Sequence, residues 1–85
     1  MSANSIYVGA DVGASRTKVA ILDADKNLIG YAVKKSGTDF TATAQKCLDI
    51  SLKMAGTQES EIVNSISTGY GRKNVPFSRG TKTEI

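Results

Sequence analysis

Between Phe40 and Ala55 the residues Phe40, Ala44, Cys47, Leu48, Ser51 and Ala55 recur at helical spacing, and only Ser51 among them is polar. Ser36 or Thr38 is placed to cap this helix, Asp39 is favourable in its first turn, and Gly56 is placed to stop it. The flanking segments read as strands. A strand on each side of one helix, when both strands lie in the same sheet, forms a right-handed crossover with the two strands parallel. That rule limits the chain to very few topologies.

The apolar run 6–10 ends at Asp11 and reads as a buried strand. Gly13-Ala14-Ser15-Arg16 is short enough for a hairpin loop, and residues 17–22 read as a second strand rich in Val and Ile. Asp23-Ala24-Asp25-Lys26-Asn27 is a polar turn before a third strand over 28–33. Residues 62–67 form the fourth strand, and residues 76–85 are expected to be irregular. The expected fold is α/β: an antiparallel three-strand meander, a crossover helix, and a fourth strand beside and parallel to the first. Asp11 and Thr68 then share one sheet edge, where open α/β sheets bind ligands. Val19 and Ile21 point to one face and Ala20 and Leu22 to the other, while Ile29, Tyr31 and Val33 oppose Leu28 and Ala32. Both faces therefore carry apolar side chains, and one helix covers only one of them.

The 85 residues make one small domain, too short for a bilobal enzyme. No window approaches the ~20 apolar residues of a membrane span, and Met1-Ser2-Ala3-Asn4-Ser5 lacks the pattern of a secretion signal. The expectation is a soluble cytoplasmic protein. With Cys47 the sole cysteine and no histidine, a protein-only zinc site is not expected, and Cys47 reads as a small buried hydrophobe. The net charge is +3, with Arg72, Lys73, Arg79 and Lys82 clustered late in the chain. Those charges read as a solvated surface or a meeting point for phosphates or an acidic partner. Neither a nucleic acid nor a membrane is an expected partner.

Two motifs carry chemistry. A carboxylate ending a strand, as Asp11 does, holds Mg²⁺ through its water shell. Gly13 lets backbone N–H groups approach an anion, Ser15 and Thr17 add hydroxyls, and Lys18 offers a point charge to a terminal phosphate oxygen. The rival reading is a plain hairpin whose Asp and Gly serve turn geometry. In Thr68-Gly69-Tyr70-Gly71-Arg72 two glycines flank an aromatic and permit unusual backbone angles. Arg72 either senses a γ-phosphate, pairs with an acidic group or faces solvent; the rival reading is a strand-to-loop turn with Tyr70 packed as a lid.

Taken together, Asp11-Val12-Gly13 in a first hairpin, a third strand, a helix and Thr68-Gly69-Tyr70-Gly71-Arg72 resemble the N-terminal part of the ATPase activators of 2-hydroxyacyl-CoA dehydratases. The related ATPase subunits of benzoyl-CoA reductase share this arrangement, and both sit in the superfamily of acetate kinase, sugar kinases, heat-shock chaperones and actin. The resemblance implies a ribonuclease H-like, actin-like ATPase lobe, of which residues 1–85 are a single partial N-terminal piece. It implies ATP and Mg²⁺ as cofactors, with Asp11 on the metal through water and Gly13, Ser15, Thr17 and Lys18 around the phosphates. Thr68, Gly69, Tyr70, Gly71 and Arg72 are a candidate loop for coupling nucleotide state to domain movement. Family members use ATP hydrolysis to drive a low-potential electron from a [4Fe–4S] cluster into a CoA-ester dehydratase or reductase. The cluster belongs to the parent protein, since Cys47 matches none of its ligands. Ala14 stands where the family often has a hydroxyl residue, and Arg16 where it is usually small. The second phosphate motif, the adenosine pocket and the cluster cysteines have no counterpart in these 85 residues. The chain is thus expected to be an inactive piece, cut or separately encoded, that works with the remainder of the ATPase or a second copy. Two alternatives stand beside it: a noncatalytic interaction module, and the start of a carbohydrate kinase.

Overall fold

The computed structural model of the protein describes residues 5–68 and 80–81. Strand β1 (Ile6–Val12) pairs antiparallel with β2 (Arg16–Leu22), and β2 pairs antiparallel with β3 (Leu28–Lys35). Helix α1 (Phe40–Ala55) and a 3₁₀ turn (Glu59–Glu61) carry the chain back to β4 (Ile62–Thr68), which lies beside β1 and parallel to it. A two-residue strand, β5 (Gly80–Thr81), pairs parallel with β4 and completes the order β3-β2-β1-β4-β5. This pairing falls inside the stretch expected to be irregular, because two residues show no alternation from which to read a strand. The meander, the crossover helix and the parallel fourth strand are as the sequence predicts.

β1 runs further than its apolar start implies. Burial alternates through Ile6, Val8, Ala10 and Val12, so Asp11 sits on the exposed face of the strand rather than in the turn. The helix cap also differs from expectation. The Asp39 carboxylate, not a hydroxyl of Ser36 or Thr38, accepts the Ala42 N–H at 3.0 Å. Ser36 is buried and engaged elsewhere. At the other end Gly56 adopts φ 70° and donates to Leu52 and Lys53, the expected left-handed stop.

α1 packs across β3 and β2. Its stripe of Ala44, Cys47, Leu48 and Leu52 meets Ile6, Val8, Val12, Val19, Ile21 and Ala32 in one core. Ser51, the polar member of the stripe, donates its hydroxyl to the Cys47 carbonyl at 2.7 Å and so is satisfied within the helix. The opposite sheet face is open: Tyr7, Tyr31, Val33 and Ile66 are all exposed. Ile29 departs from the expected alternation. A register shift between Ile21 and Leu22 leaves it opposite no β2 residue, and it packs against the core instead of sharing a face with Tyr31. Among the described residues no helix is long and apolar enough to cross a membrane.

The close approach of α1 to β3 depends on Gly30. A Cβ there would collide with the Ser51 carbonyl oxygen and sit 3.1 Å from the Ala55 methyl. Helix backbone cannot yield as a flexible side chain can. Gly30→Ala is therefore expected to lower stability by about 2 kcal/mol, the usual size of an overpacking penalty. Urea denaturation checks this, and an unchanged midpoint would contradict the helix placement.

Candidate functional site

The C-terminal ends of β1 and β4 and the β1–β2 turn meet along one rim of the sheet. Asp11 is the register partner of Lys18 on β2 and of Thr68 on β4. Neighbouring strands lie about 4.8 Å apart, so the three residues form a single row across the sheet. Asp11 and Lys18 are exposed and Thr68 is half-buried. With Gly9, Ala20 and Ile66 from the next row they line a shallow cavity of ≈ 330 Å³ on the open face. The carboxylate and the end of β4 are thus brought together as the crossover requires. Gly69, Tyr70, Gly71 and Arg72 lie outside the described residues.

The turn between β1 and β2 is tight. The Gly13 N–H donates to the Arg16 carbonyl oxygen at 2.9 Å, and a Cβ on Gly13 would lie 2.9 Å from that same oxygen. Closeness of the chain to itself, rather than unusual backbone angles, is what calls for glycine here. Ser15 is exposed and Gly13 half-buried. Thr17 differs from the other candidates: it is completely buried, and its hydroxyl lies 2.8 Å from that of Ser36. The Ser36 hydroxyl gives its one proton to the Gly13 carbonyl oxygen at 2.6 Å, so Thr17 is the donor in the pair. The Thr17 hydroxyl points behind the turn, not into the rim.

Sequence reasoning passed over two residues here and misread a third, Ser36, as a helix cap. Lys35 is the register partner of Arg16, and Lys34 that of Thr17, which brings both lysines to the same rim. With Arg16 and Lys18 they make four exposed cations along this rim, Lys34 on the helix face with Thr17 and the other three on the face of Asp11. The α1 N-terminus joins this end of the molecule, because the Thr43 hydroxyl donates to the Ser36 carbonyl at 2.8 Å. Its dipole adds positive potential. Such a rim attracts polyphosphate anions. The hairpin register would have revealed the two lysines; nothing in the sequence would have revealed Ser36.

A larger cavity of ≈ 410 Å³ lies at the opposite rim, between the β2–β3 turn and the end of α1. Asp23 lines it, but its carboxylate is taken by its own turn, accepting N–H groups of Asn27 at 2.9 Å and Asp25 at 2.8 Å. The bond from the Asn27 backbone, foremost, holds Asp23 below the usual carboxylate range. Among the described residues no group of three or more His, Cys, Asp or Glu side chains is placed to hold a metal ion.

Comparison with known proteins gives the following. A scan against protein-family models finds no match. The activator of lactoyl-CoA dehydratase from Anaerotignum propionicum is 33% identical over 67 residues, covering 79% of this chain and 26% of that protein. Component A of the (R)-2-hydroxyglutaryl-CoA dehydratase of Acidaminococcus fermentans superposes with a TM-score of 0.83 at 22% identity, over 93% of this chain and 30% of that one. The activator of the 2-hydroxyisocaproyl-CoA dehydratase from Clostridium difficile, solved with bound ADPNP, gives a TM-score of 0.79 at 24% identity, over 94% and 29%. The chain thus spans about a quarter of the length of the curated relative it matches. By sequence and fold it is related to the activators of 2-hydroxyacyl-CoA dehydratases, and its sheet is a partial lobe of the actin-like ATPase fold.

Cys47 lies away from the rim. It is fully buried on α1, and its thiol donates to the Thr17 carbonyl oxygen at 3.6 Å. Burial pushes its pKa up, offset in part by the charge of Lys34. A raised folded pKa favours the neutral thiol. This stability contribution is complete below the unfolded thiol pKa and is lost as pH rises through the folded one. Alkylation by iodoacetamide at pH 8 is expected to be on the order of a hundredfold slower in the native protein than in urea. Equal rates would contradict the burial.

Proposed function

We propose that this chain, a relative of the 2-hydroxyacyl-CoA dehydratase activators, is the phosphate-facing part of an ATP-dependent activator. That activator drives electron transfer to a 2-hydroxyacyl-CoA dehydratase or a benzoyl-CoA reductase. The observation that carries the reading is the row Lys18–Asp11–Thr68, which sets a carboxylate and a cation side by side at the C-terminal rim of two parallel strands. The donor set suits Mg-ATP: an exposed carboxylate for a hydrated Mg²⁺, a lysine for a terminal phosphate oxygen, and Gly13 and Ser15 on the adjoining turn. Arg16, Lys34 and Lys35 add positive field, and Thr17 holds the turn from behind. Bound nucleotide supplies the free energy of γ-phosphate hydrolysis, and these residues bind and orient it. The loop Thr68-Gly69-Tyr70-Gly71-Arg72 passes the state of the nucleotide to the rest of the ATPase.

The iron–sulfur cluster of the parent has no ligand set in this chain, whose single thiol is buried. Its chemistry belongs to the remainder of the ATPase or to a second copy, and the 85-residue chain by itself is inactive. Likeness to the activator solved with ADPNP supports the nucleotide part of the reading.

Calorimetric titration tests it. The chain is expected to bind Mg-ATP weakly, and Asp11→Asn to weaken that binding about tenfold, the loss of one charge-assisted contact. Tight binding indifferent to the substitution would overturn the phosphate role of Asp11.

A second reading, a noncatalytic interaction module, is favoured by the open sheet face with Tyr7, Tyr31, Val33 and Ile66 exposed. Concentration-dependent self-association in sedimentation velocity, lost in Tyr31→Lys, is the expected sign. A strict monomer at high concentration would remove this reading.

A further inference from the structure

Ser36 is completely buried, immediately behind the β1–β2 turn, and four hydrogen bonds converge on it. Its hydroxyl donates to the Gly13 carbonyl oxygen at 2.6 Å and accepts from Thr17 at 2.8 Å. The Ser36 N–H donates to the Ser15 carbonyl oxygen at 2.9 Å. Its own carbonyl accepts the Thr43 hydroxyl, from the first turn of α1, at 2.8 Å. One residue therefore binds three of the five positions from Gly13 to Thr17, and ties them to the helix.

The chemistry of these bonds has a direction. Two of the turn's carbonyl oxygens, those of Gly13 and Ser15, are drawn inward and satisfied. Carbonyl oxygens are the groups that repel an anion. Among the described residues, the N–H groups of Ala14 and Ser15 make no hydrogen bond to the protein, and both residues are exposed. A turn whose carbonyls are held inward and whose amides are left for solvent is arranged to receive an anion.

We propose that Ser36 is the positioning residue of this turn. It holds the Gly13 and Ser15 carbonyls away from the rim, so that the Ala14 and Ser15 amides face the phosphate. Through Thr43 it makes the position of the turn depend on α1. The anion-binding part rests on the proposed function; the clamp on the turn does not.

Two readouts on the full 85-residue chain separate these parts. In Ser36→Ala without ligand, amide hydrogen exchange at Gly13 and at position 36, whose N–H groups are bonded at the turn, is expected to accelerate about tenfold or more. Amides in the centre of β1 and β4 should keep their rates. Thr43→Val, which keeps shape and loses one hydroxyl, should accelerate the same amides to a smaller degree. Unchanged exchange at Gly13 and position 36, or a uniform rise across the whole sheet, overturns the clamp. The second readout is Mg-ATP affinity, expected to fall about tenfold in Ser36→Ala when the turn loses its inward bonds. An unaltered affinity beside accelerated exchange overturns the anion-positioning role and leaves the clamp standing. Absence of Mg-ATP binding in the unaltered chain overturns the proposed function itself, with the clamp still judged by exchange.

Discussion

The parallel ladder between β1 and β4 is the constraint on which the rest of the molecule depends. It pairs Tyr7 with Asn64 and continues in register through Asp11 and Thr68. Only a crossover through α1 brings the chain back to make this ladder, and the crossover must be right-handed. Because the two strands run the same way, their C-terminal ends open onto one rim, and whatever chemistry those ends carry is concentrated there. An antiparallel return would have sent Thr68 to the far edge, beside the N-terminus of β1.

Two close contacts keep that geometry from relaxing. Gly30 lets α1 settle onto β3 at backbone distance, against Ser51 and Ala55. Ser36 in turn fixes the β1–β2 turn from behind. The chain of dependence runs from helix packing to the connector and then to the turn beside Asp11, through hydrogen bonds of 2.6 to 2.9 Å. The open sheet face carries no comparable contacts from the described residues, and its exposed Ile66 borders the same shallow cavity as the Asp11 row.

Much of this was legible in the residues. Alternation through Ile6, Val8 and Ala10 marks β1, and the spacing from Phe40 to Ala55 marks α1. The crossover rule then places Asp11 beside Thr68 without any structural information. The parts that escaped are those defined by distance rather than pattern. Ser36 reads as a helix cap because capping is local, whereas its real partners are 19 and 23 residues away. Gly30 reads as a neutral strand residue until a helix lies over it. Lys34 and Lys35 become part of the rim only once hairpin register sets them opposite Thr17 and Arg16. Thr17 looked like a phosphate hydroxyl because its neighbours alternate around it; its own parity places it on the helix side. The functional class came from resemblance and not from physics, since Asp-x-Gly after a strand is compatible with an ordinary hairpin.

The central claim is that one rim of this sheet, and not the other, receives a metal–triphosphate. Paramagnetic broadening of backbone amide signals by Mn-ATP tests it directly, because Mn²⁺ reports its own position through space. The account predicts broadening concentrated at residues 11–18 and at Thr68, with the Asp23 turn and Gly56 unaffected. Broadening centred on Asp23, Asp25 and Gly56, where two other carboxylates border the larger cavity, would contradict it.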